Sequence, residues 1–167
     1  MTGSRDAEPL SDELVRYSIT MAPVYRRLRR LVGQLAGIAI LVHTGHSRRG
    51  QSEAWPDHPT LAAAADALRE ARENISLASV PAAQHSSHEH LRSSVGDLEW
   101  VVLRLRSPEL REAAEGAWPD TVSIALDRAY RGLKSAGNEA LGFSLVDARQ
   151  SCCCPTSELT GTHVHLA

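Results

Sequence analysis

The sequence has no spaced cysteines. Its three, Cys152, Cys153 and Cys154, are contiguous, which excludes the disulfide framework of a small secreted fold. It also lacks an excess of either charge: 18 basic against 20 acidic side chains give a formal net charge of −2. That balance excludes a generally basic nucleic-acid binder. No apolar run is long enough for a bilayer, which takes about 20 residues; the best candidate, within residues 26–42, is interrupted by Gln34. A buried core helix is expected there, with no membrane association. The opening MTGSRDAEPL is polar, so no secretory signal is expected and we read the protein as cytoplasmic with reduced thiols. Gly-rich phosphate loops, Rossmann fingerprints and a Ser-His-Asp order are missing. So is the Glu-x-x-His pair of di-iron bundles. The expectation is a non-enzymatic binding or accessory protein.

What is present is helical periodicity. Of 167 residues, 43% are apolar and 23% charged, enough for one domain with a real core. Leu14, Tyr17, Met21, Val24, Leu28, Leu31, Leu35, Ile38 and Val42 recur at steps of three and four, one stripe of a long helix ending near Gly45. Leu61, Ala64, Leu68, Ala71, Ile75 and Ala78 predict a second helix, stopped before Pro81. Leu91, Val95, Leu98, Val102 and Leu105 predict a third, ending before Ser107-Pro108. Val122, Leu126, Ala129, Leu133 and Ala136 predict a fourth, running to about Leu141 with Gly142 as its stop. A further short helix is expected over SPELREAAEG, capped by Ser107.

Shifted by 63 residues, segment 28–57 lies over segment 91–120 without a gap, and ten of 30 positions are identical, including Ala-Trp-Pro-Asp at both ends. We read a duplicated helical hairpin, repeat one over about 22–80 and repeat two over about 85–142. Short loops then give an all-α antiparallel four-helix bundle over 1–142, followed by an irregular tail over 143–167. The Trp-Pro-Asp letters occur on the acid loop of tyrosine phosphatases. The companion Cys-to-Arg cradle is missing, so Asp57 and Asp120 are expected instead to cap the second and fourth helices.

Opposite the core stripes, Gly33, Gly37 and Ile40 on the first helix match Gly96, Trp100 and Leu103 on the third. These second apolar faces are expected to pack together within the chain. The alternative is a homodimer or protein-partner surface centred on Trp100. Arg26, Arg27, Arg29 and Arg30 read as a solvated face; nucleic-acid binding is not expected.

Of eight histidines, His43/His46 and His85/His88 are spaced three apart, a spacing that can share a helix face and a metal. His88 also falls in register with the third helix's core stripe. In the tail, Cys152 and Cys154 project together from an extended chain, as do His163 and His165. With His85 or His88 they form a candidate thiolate–imidazole site for zinc or copper(I). The layout of a long helical segment followed by Ser151, Thr156, Ser157, Thr160 and Thr162 among cysteines resembles that of a ribosomally made peptide precursor, such as a lanthipeptide precursor. That resemblance implies a tail modified by dehydration and thiol addition, with the bundle as leader.

Overall fold

A computed structural model describes residues 11–46, 58–107 and 118–144. Four α-helices carry nearly all of them: α1 (Asp12–His46), α2 (Pro59–Leu77), α3 (His85–Arg106) and α4 (Trp118–Ala136). Short 3-10 turns precede α3 (Ala82–Gln84) and follow α4 (Glu139–Leu141). Among the described residues no helix is long and apolar enough to cross a membrane.

Local chemistry explains where the helices start. Ser11 opens α1, its Oγ accepting from Leu14 N at 3.3 Å, and Asp12 and Glu13 complement the positive helix end. His58 caps α2: a ring nitrogen accepts from Thr60 N at 3.2 Å, and Pro59 fills the first position, where a missing NH costs nothing. Asp57 is therefore not the cap of α2, and it lies outside the described residues. Asp120 is not a cap either. Helix α4 already begins at Trp118, so Asp120 sits within its first turn and acts on the helix end through its charge.

The core is the meeting of the four stripes. On α1, all the expected residues from Tyr17 to Val42 are buried, with Leu14 packed at the margin. Leu61, Ala64, Leu68, Ala71 and Ile75 bury on α2, and Leu91, Val95, Leu98, Val102 and Leu105 on α3. Each helix touches its neighbours, α1 closing on both α2 and α4. Tyr17 near the start of α1 meets His88 near the start of α3, and Tyr25 meets Leu133 near the end of α4. So α1 and α3 run alike while α4 runs against them.

Helix α4 ends at Ala136, short of Leu141. The reason is a closed turn: Asn138 and Phe143 exchange backbone bonds, each 2.9 Å, and the Asn138 side chain accepts from Ala140 N. Gly142, at φ 76°, ends this 3-10 turn rather than an α-helix. The turn drives Phe143, assigned above to the tail, into the core. Its ring stacks on Tyr25 with centroids 5.1 Å apart and planes 9° apart.

The 63-residue offset carries burial from α1 to α3: Tyr25/His88, Leu28/Leu91, Leu31/Ser94, Leu35/Leu98, Ile38/Val101 and Val42/Leu105 are buried in both. It fails for the second helices, placing exposed Ile124 over buried Leu61. A shift of two residues restores the match, pairing Leu61 with Val122, Ala64 with Ala125, Leu68 with Ala129 and Ile75 with Ala136. Of the helix expected over SPELREAAEG only Ser107 is described, as the residue that closes α3 with its N–H donating to the Leu103 carbonyl at 3.1 Å; the rest lies outside the described residues.

Candidate functional site

Two places in the bundle carry chemistry-bearing residues in an unusual setting: the histidine end, and the outer face of α3.

At the histidine end, His88 is buried. Its Nδ1 lies 3.3 Å from the Tyr17 hydroxyl, and the ring also bonds the Ile75 backbone carbonyl in the last turn of α2. A neutral imidazole has one donor and one acceptor. Both are occupied, with the Tyr17 hydroxyl donating to Nδ1 and the ring N–H serving a carbonyl that the helix end leaves without an intrahelical partner. Burial lowers the His88 pKa below its ordinary 6.5. The Glu89 carboxylate and the Ile75 bond pull it up, while Arg92 and His85 add to the lowering. Burial likewise pushes the Tyr17 and Tyr25 hydroxyls up to about 12, the nearby Arg29 cation acting against it at Tyr25. The Tyr25 hydroxyl donates to the Leu133 carbonyl at 3.1 Å. Phe143 completes this end, 6.1 Å from the Tyr17 ring.

This arrangement joins α1, α2, α3 and the segment after α4. His85, at the first position of α3, is exposed. His43 and His46 belong to the last turn of α1, about 40 Å along the helix from Tyr17. Cys152, Cys154, His163 and His165 lie outside the described residues. Among the described residues, no three His, Cys, Asp or Glu side chains gather as a metal site would need. A cleft of about 360 Å³ beside Tyr17 is lined by Asp12, Glu13, Arg16 and Thr20, but the Tyr17 hydroxyl is already held by His88.

The outer face of α3 is different. Gly96 is exposed, and a Cβ placed there would meet nothing within 4 Å; the same holds for Gly33 and Gly37 on α1. Contrary to the expectation above, the second apolar faces therefore do not pack together within the chain. With the core stripes of α1 and α3 both turned inward, their outer faces look away from each other. Trp100 is half-buried, one side on the core, with the Arg104 guanidinium 5.0 Å from its ring centre. Leu103 beside it is 61% exposed. Two interhelical ion pairs flank the face, Arg72–Glu99 towards α2 and Asp97–Arg128 towards α4, the latter at 2.7 Å. An apolar centre with a charged rim is the anatomy of a protein contact surface.

Sequence reasoning found Gly96, Trp100 and Leu103 but missed Glu89, Ser93 and Arg104. These belong to the same stripe at steps of four, three, four and four. It also missed Tyr17 as the partner of His88, which spacing along one helix does not reveal.

No protein-family model, curated protein or solved structure matches the chain.

Proposed function

We propose that the protein is a non-enzymatic interaction module of the cytoplasm, a duplicated helical bundle that binds a protein through the outer face of α3. The duplication is supported by the shared burial of α1 and α3 at the 63-residue offset, with two residues lost before α4. The single observation behind the binding role is the uncovered centre of that face. An interior helical glycine costs about 1 kcal/mol relative to alanine, and Gly96 recovers none of it through contacts inside the chain. Exposed Leu103 and half-covered Trp100 sit beside it. Together they make a gap and two knobs, which suits a second helix lying close.

Photo-crosslinking in the host cell tests this. A photoreactive residue in place of Leu103 should yield protein adducts, while one in place of exposed Ser76 on α2 should not. Equal labelling at both positions, or no adduct at Leu103, would remove the proposal.

A further inference from the structure

Resting on that reading of the α3 face, we infer that its partner is a second copy of the same chain, packed antiparallel about Gly96. The stripe that faces outward is Glu89, Ser93, Gly96, Trp100 and Arg104. It is complementary to its own reverse. A twofold axis between Gly96 and Asp97 sets Glu89 of one copy opposite Arg104 of the other, each about 11 Å along the helix from the axis. The same axis sets Ser93 opposite Trp100, a small residue facing a large one. The crossing point falls on Gly96, where no Cβ keeps the backbones apart and nothing within the chain fills the space. An isologous contact of this kind needs each patch to match itself, which is the requirement for a closed dimer.

The matching stripe of α1 supplies the contrast. Its residues at the same offsets are Arg26, Arg30, Gly33, Gly37 and Leu41. It has the glycines, but its charges are all basic and an antiparallel copy would set Arg26 against Leu41. Self-complementarity belongs to α3. The charges of the α3 stripe are free to exchange partners at small cost. Glu89 pairs with Arg92 at 3.1 Å, but both side chains are over 60% exposed, where such pairs contribute little. Arg104 lies over Trp100, and from there it can reach an acid on a second copy while keeping the ring beneath it.

Charge exchange tests the register. Sedimentation equilibrium of the full chain should show a reversible dimer. Glu89→Arg alone and Arg104→Glu alone should each weaken it by roughly tenfold or more, since like charges then meet across the axis. Mixing the two variants should restore association as a heterodimer, and the double variant should dimerise again. Far-UV circular dichroism and thermal melts of each variant establish that the monomer is folded. A parallel or unrelated contact would leave the double variant associating no more tightly than the single ones, and that result would overturn the antiparallel dimer. A wild-type chain that stays monomeric up to millimolar concentration would overturn it too. In that case the Leu103 adduct separates the two readings: an adduct with a different protein keeps the interaction face and discards only self-association, whereas no adduct discards both.

Discussion

Burying an imidazole removes the water that would solvate its cation, and at His88 the folded chain answers with two neutral hydrogen bonds. The native pKa lies below 6.5, so between the native value and 6.5 the unfolded chain holds a proton that the folded chain lacks. Stability is therefore complete above about pH 6.5 and declines as pH falls through the native pKa. The neighbouring Glu89, Arg92 and His85 modulate where that decline sits. Urea unfolding at a series of pH values, for wild type and His88→Gln, checks the sign. The stability difference between them should be largest at neutral pH and shrink towards acid; a difference independent of pH would remove His88 as its cause. The burial of His88 was legible in the sequence, because it continues the spacing of Leu91, Val95 and Leu98. Its bonds to Tyr17 and Ile75 were not legible, since the partners lie on other helices and only packing brings them together.

Between helices, α3 and α4 meet in a tight contact. Ser94 Oγ shares its one proton between the His90 carbonyl at 2.8 Å and the Ala129 carbonyl at 3.1 Å. Opposite it, a Cβ on Gly132 would lie 2.4 Å from that Oγ and 3.2 Å from the His90 carbonyl. Alanine is the better helix former, yet here it overfills the contact. Gly132→Ala should therefore lower stability by about 1–3 kcal/mol, read by chemical denaturation, and adding Ser94→Ala should recover part of the loss. A stabilised Gly132→Ala would mean that the helices separate freely. The helices themselves were legible from three-and-four spacing, which depends only on which residues enter the core. Their ends were less so. Asp57 and Asp120 have the chemistry of caps, but His58 and the early start at Trp118 displaced them. The end of α4 was hidden because the turn at Asn138 is fixed by Phe143 finding Tyr25, a contact set by tertiary packing. On the α3 face, Trp100 and Gly96 stood out as letters. The match of Glu89 to Arg104 that we propose across a twofold axis became visible only once the helix was placed with that face outward.

For the molecule as a whole, Phe143 is the closing piece. It is 1% exposed, stacked on Tyr25 and set against Tyr17. Phe143→Ala should cost about 3–5 kcal/mol of unfolding free energy, and a loss below 1 kcal/mol would show that the turn after α4 is only loosely attached. Around Phe143, the bonds of α1 reach far along the chain. Tyr17 to His88 spans 71 residues, Tyr25 to Leu133 spans 108, and Ser18 to Leu141 spans 123. The Ser94–Ala129 bond that joins α3 and α4 spans only 35. Closing a longer loop costs more chain entropy before any contact forms. On this ground the α3–α4 pair is expected to assemble before the aromatic stack that ties down α1, an order that stopped-flow folding and unfolding rates of the variants check. Phe143→Ala should then show mainly faster unfolding with a nearly unchanged refolding rate, whereas Gly132→Ala should slow refolding; equal changes in both rates for both variants would remove this order. In kinetic terms the ring at position 143 is then expected to act as a latch, setting how long the folded molecule lasts more than how quickly it forms.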